Sequence, residues 1–76
     1  MYDHRITGIV IQRLRIEKGL TQEVLSGLAG ISRSHLAMIE SGNISAGVET
    51  LWRIARALGI RLSELMALVE EGHNPH

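Results

Sequence analysis

The chain has 76 residues, room for one domain with one modest core, and with 45% apolar residues it falls outside the disordered class. It has no cysteine, which excludes disulfide frameworks, thiolate nucleophiles and cysteine-based zinc sites, and no apolar run approaches the roughly 20 residues that span a bilayer. The formal net charge is zero but unevenly spread: residues 1–61 hold all eight Lys and Arg against five acids, a balance of +3, while Glu64, Glu70 and Glu71 crowd the end.

With one Trp, one Tyr and no Phe, the core must come from Leu, Ile, Val, Ala and Met, which suits packed helices. The first predicted helix spans residues 5–18, with Ile6, Val10, Ile11 and Leu14 at helical spacing, and Gly19 stops it. Thr21 is a good N-cap for a second helix, from Gln22 to about Ala29, that ends at Gly30. Ser32 caps a third, from Arg33 to Ser41, whose Leu36 and Ile39 face inward. A loop over 43–47, expected to be comparatively mobile, leads to a fourth helix from Val48 to Leu58. Its Leu51, Ile54, Ala55 and Leu58 make an amphipathic stripe. A fifth runs from about Leu62 to Glu70, carrying Leu65, Met66, Leu68 and Val69, and residues 71–76 read as a frayed tail. No stretch alternates with period two. The expectation is one all-α domain over 1–76, its core over about 6–70, built of five short helices.

Only Gly30 and Ile31 separate the second and third helices, a tight corner that many all-α domains share. The residues around it are more telling. Thr21-Gln22-Glu23-x-Leu25-x-x-x-Ala29-Gly30-Ile31-Ser32-x-x-x-Leu36-x-x-Ile39-Glu40-x-Gly42 closely resembles the Cro/phage-repressor, or XRE-type, helix-turn-helix family. The preceding Gly8-x-x-Ile11-x-x-Leu14-Arg15-x-x-Lys18-Gly19-Leu20 and the following Glu49-Thr50-Leu51-x-x-Ile54-Ala55-x-Ala57-Leu58-Gly59-Ile60 continue the resemblance over about residues 6–66. It implies a lambda-repressor-like fold and a cytoplasmic, double-stranded-DNA-binding transcriptional regulator. The controller proteins of restriction–modification systems are the most similar subclass, beside stand-alone phage repressors and antitoxins.

The resemblance assigns Gln22 to a backbone phosphate at the open end of its helix, where free N–H groups favour an anion. It lays the exposed face of the third helix in the major groove. There Arg33 can donate a bidentate pair to guanine, Ser34 and Ser32 can reach a base edge or phosphate, and Ala37 and Met38 can press on thymine methyls. His35 is a candidate phosphate donor or a plain surface histidine. Asn43 matches a second phosphate contact, though Gly-Asn is equally an ordinary helix-ending turn. Arg15 and Glu40 match a structural salt bridge between the first and third helices.

Three features depart from the family pattern. Val24 and Leu28 replace polar residues: either they extend the core against the first helix, which is the simpler expectation, or they mark an exposed apolar contact surface. Gly47 replaces a Ser or Thr cap. The low basic count makes one subunit a weak DNA binder, which favours a homodimer; Trp52, Leu62, Leu65, Met66 and Val69 of the fourth and fifth helices are its expected interface. Further partner classes are RNA polymerase or a cognate toxin, with no membrane and no cofactor. The rival reading is a protein-interaction module that has lost DNA binding. Catalysis is not expected: His4, His35, His73 and His76 have no carboxylate at a suggestive spacing, and the His73–His76 pair offers only incidental metal capture.

Overall fold

The computed structural model describes residues 2–72, which form five helices and, among the described residues, no strand. They are α1 (His4–Glu17), α2 (Gln22–Ala29), α3 (Arg33–Glu40), α4 (Val48–Ala57) and α5 (Leu62–Gly72). Boundaries move by a residue where a cap decides them. Lys18, Ser41 and Leu58 are C-caps rather than helical residues, and Asp3 starts α1 one residue early by accepting the Arg5 N–H at 2.9 Å. The larger difference is at the end. Helix α5 continues through Glu71 to Gly72, so the first two residues of the expected tail are helical. Residues 73–76, including His73 and His76, lie outside the described residues.

Local chemistry fixes the corner between α2 and α3. The Thr21 Oγ1 accepts the Val24 N–H at 3.1 Å, and the Ser32 Oγ accepts the His35 N–H at 3.0 Å, so both helices begin with a satisfied orphan donor. Between them Gly30 takes φ +72°, and the Ile31 N–H turns back onto the Ser26 carbonyl at 3.0 Å. Only a residue without a Cβ adopts that left-handed conformation at little cost. α4 starts on Gly47 with no side-chain cap.

The helices pack in a closed ring: α1 on α3, α3 on α2, α2 on α4, α4 on α5 and α5 back on α1. Inside it Ile11, Leu25, Leu36, Ile39, Ile54, Leu58 and Leu65 are fully buried. Each contributes about 1.5–3 kcal/mol of hydrophobic stabilisation, set against the entropy of ordering the chain. The α1–α3 crossing is close because Gly8 has no side chain. A Cβ there would run into the Ile39 carbonyl oxygen and lie 2.8 Å from that of Glu40. The loop after α3 is pinned more than its composition suggests, since Ile44 and Ala46 pack against the core.

Two expectations about apolar residues are corrected. Leu65 and Val69, expected at a subunit interface, are 0% and 2% exposed within the single chain. They are the residues by which α5 joins the core, so they offer no surface to a partner. Val24 and Leu28, expected to extend the core, are 47% and 63% exposed, because α2 turns Leu25 and Ala29 inward and leaves these two on its outer face.

Candidate nucleic-acid interface

α3 divides cleanly into two faces. Leu36, Ile39 and Glu40 are buried, whereas Arg33, Ser34 and Met38 are exposed, with His35 and Ala37 half-buried at the margins. Met38 keeps 44% of its surface in solvent, an unusual place for a large apolar side chain on an otherwise polar face. Ser32 spends one oxygen lone pair on the α3 cap while its O–H stays free to donate. Asn43, exposed at the far end of α3, closes the turn through its backbone N–H to the Met38 carbonyl at 3.0 Å. It therefore lies a helix length from Arg33, and the two ends of α3 bracket the exposed strip.

At the near end Arg33 and Gln22 line one open hollow of about 640 Å³, together with Arg15, Leu20, Thr21 and Glu23. Behind it stands a buried network. Arg15 Nε donates to Glu40 Oε2 at 2.8 Å, Arg15 Nη2 to Glu40 Oε1 at 3.1 Å and Arg15 Nη1 to the Leu20 carbonyl at 2.8 Å. Gln22 Nε2 donates to the same Glu40 Oε1 at 3.0 Å. The amide carries two N–H groups, so one is committed to Glu40 and the other is left for a ligand. One carboxylate from α3 thus holds α1, through Arg15, and α2, through Gln22. The arrangement presents polar donors from a stiff backing. Among the described residues no group of three or more His, Asp or Glu is placed to hold a metal ion, and no helix is long and apolar enough to cross a membrane.

Comparison with known proteins fits this geometry. Residues 11–65 match the helix-turn-helix family. The chain belongs to the XRE-type helix-turn-helix family of DNA-binding transcriptional regulators. It is 39% identical over 67 residues to an uncharacterized HTH-type transcriptional regulator, y4dJ, of Sinorhizobium fredii, covering 88% of this chain and 87% of that one. It is 41% identical over 59 residues to the immunity repressor protein of Bacillus phage phi105, spanning 78% of this chain but 41% of that longer one. Among solved structures, the restriction–modification controller protein C.AhdI of Aeromonas hydrophila superposes with a TM-score of 0.80 at 34% identity, over 86% of this chain and 98% of its own. The controller protein C.Esp1396I superposes at 0.89 over 100% of this chain and 99% of its own, and at 22% identity it shows the shared fold alone.

In this XRE-type chain two structural contacts escaped the sequence reading. His4 Nε2 lies 3.1 Å from the Gly42 carbonyl oxygen, which only accepts, so the ring donates there and ties the start of α1 to the turn after α3. The Gln22–Glu40 bond is the other. Neither has a sequence signal, because each joins side chain and partner across a fold that spacing alone does not reveal. Of the expected interface residues, Leu62 and Met66 are half-buried against the core. Trp52, 45% exposed, lines an open hollow together with Leu28 of α2, and the Arg56 guanidinium lies 5.1 Å from its ring centroid.

Proposed function

We propose that this protein is a sequence-specific double-stranded-DNA-binding regulator that acts as a homodimer on a palindromic operator, in the manner of restriction–modification controller proteins. The observation that carries the reading is the exposed Arg33–Ser34–Met38 strip, set beside Gln22 and backed by the buried Arg15–Glu40 pair. In this reading α3 enters the major groove, and Arg33 reads a guanine through a bidentate pair. Ser34, Ala37 and Met38 touch neighbouring base edges and methyl groups. Gln22, Ser32, His35 and Asn43 contact phosphates and fix the register. Gln22 suits that task because Glu40 already orients its amide, so little side-chain freedom is lost on binding. Two copies place two such helices about 34 Å apart, one helical turn of DNA. The likeness to C.AhdI supports the controller subclass, and the phi105 immunity repressor supports a phage-type repressor as the second reading.

The test is fluorescence anisotropy on DNA from upstream of the protein's own gene, titrated from low to physiological salt, with Arg33→Ala alongside. Expected is selective binding that weakens steeply as salt rises. Arg33→Ala should lose about 1–3 kcal/mol of discrimination between operator and scrambled DNA while melting at the unchanged temperature. Absence of binding to that DNA, and to a random pool at low salt, overturns the reading and favours a protein-interaction module.

A further inference from the structure

Residues 2–5 precede the family match, which begins at Ile11, yet each of them has a defined contact. The Tyr2 hydroxyl meets the Oγ1 of buried Thr7 at 2.7 Å, and Asp3 caps α1 and holds the Arg5 guanidinium at 2.9 Å. The start of α1 lies across the turn after α3, where Gly42 takes φ +81°. The approach is so close that a Cβ on Gly42 would stand 2.9 Å from Arg5 Cγ and 3.3 Å from its Cα. There His4 Nε2 donates to the Gly42 carbonyl at 3.1 Å. That carbonyl and the Asn43 N–H belong to one planar peptide unit. The N–H donates to the Met38 carbonyl at 3.0 Å, so α1 holds one end of the unit and α3 the other. A glycine restricts its backbone little, so a peptide that follows one rotates easily unless something holds it. Here rotation would break two hydrogen bonds at once.

We propose that His4 is a positioning residue for DNA binding: it pins the Gly42–Asn43 peptide and so aims the exposed Asn43 amide at a backbone phosphate. The proposal rests on the DNA-binding reading above and adds to it a residue from outside the helix-turn-helix. His4 does at the far end of α3 what Glu40 does for Gln22 at the near end. In each case a partner on another helix removes freedom from a polar group before DNA arrives, so less is lost on binding. The ring's Nε2 proton is committed to the turn, so the Asn43 amide, not the imidazole, is the group offered to DNA. A phosphate contact carries no sequence information, and the pin therefore serves affinity and register rather than selectivity.

Fluorescence anisotropy on the upstream DNA and on a scrambled duplex compares the wild type with His4→Ala, Asn43→Ala and the double variant. His4→Gln joins them, since its amide reaches about as far as the imidazole Nε2, and circular dichroism confirms that each variant is folded. Expected for His4→Ala is a loss of about three- to tenfold in affinity, the worth of one hydrogen bond, equal on both duplexes. Its salt dependence should stay as in the wild type, because a neutral amide releases no counterion. In the Asn43→Ala background His4→Ala should weaken binding no further, and His4→Gln should keep wild-type affinity. Without DNA, NMR should show the Asn43 amide exchanging about tenfold faster in His4→Ala while the amides of α2 and α5 keep their rates. Additive losses in the double variant overturn the proposal, as does unchanged exchange at Asn43. So does a salt slope that falls with His4→Ala, which puts the ring itself on a phosphate. A wild type that binds neither duplex overturns the DNA-binding reading and with it the task of the pin, while the exchange rates still report whether the pin holds the turn.

Discussion

Removing the Glu40 side chain tests the core of the structural argument. Glu40→Ala deletes a carboxylate that receives three N–H bonds, two from Arg15 and one from Gln22. The side chains of Arg15 and Glu40 are 11% and 1% exposed, so solvent screens their interaction little. Losing one partner of a buried pair costs about 3–5 kcal/mol, because the remaining charge is stranded. Arg15 keeps its bond to the Leu20 carbonyl, which places the expected loss near the lower end, about 3 kcal/mol. A domain of this length has about 4–11 kcal/mol in total, so the variant should approach marginal stability and melt about 12–24 °C lower. Urea and thermal unfolding followed by circular dichroism measure both quantities. Replacing Arg15 and Glu40 together by Met should recover part of the loss, since no charge is then left buried. A loss for Glu40→Ala below about 1 kcal/mol, the size of an exposed ion pair, would refute the reasoning.

The glycines supply an opposed pair of tests. Gly8→Ala drives a methyl into backbone carbonyls of α3 and should destabilise by about 1–3 kcal/mol in urea unfolding, whereas Gly27→Ala in α2 meets nothing within 4 Å and should stabilise by about 0.5–1 kcal/mol; equal effects would show that the α1–α3 crossing is looser than described. Hydrogen bonds from the Arg5 guanidinium, and then from the Arg5 backbone N–H, hold the half-buried Asp3 at about 2 against an ordinary 3.8. A depressed carboxylate pKa contributes stability that is fully present above the unfolded value and lost as pH falls through the folded one, here between about 3.8 and 2. Asp3→Asn keeps a capping oxygen but has no charge to lose, so its melting temperature should fall less steeply across that window, and salt should narrow the difference; an unchanged slope would remove Asp3 from the acid response.

The helical plan was legible because glycines and caps punctuate it. Thr21 and Ser32 do in three dimensions what their positions before apolar periods suggest, and Gly30 makes the turn they frame. Where one face is apolar and the other polar, as in α4, periodicity identified the core residues Leu51, Ile54, Ala55 and Leu58. Where a helix is apolar around most of its girth it did not. On α5 the pattern cannot say that Leu65 and Val69 face in while Leu68 lines a groove beside α1. On α2 it cannot say that Val24 and Leu28 flank the buried stripe rather than belong to it. The expected roles on α3 came from family resemblance together with the positions of Leu36 and Ile39. The tie between Gln22 and Glu40 needed coordinates, since nothing in a separation of 18 residues signals that an amide and a carboxylate meet.

That tie links stability to the proposed interface. Glu40 sits at the last turn of α3, yet it reaches Arg15 on α1 and Gln22 at the first turn of α2. A small domain with few aromatics has little core to spare, and a buried ion pair is seldom worth more than well-packed apolar residues of the same volume. Its retention here is understandable if it does something a methyl cannot: it fixes which way the Gln22 amide points while leaving one N–H free. The chain accepts a buried charge in the place where three helices must be held in register for two polar ends, Gln22 and Arg33, to open into the same hollow. An apolar substitute would keep the helices packed but leave the amide free to rotate, and the surface proposed to meet a phosphate would be ordered only on contact.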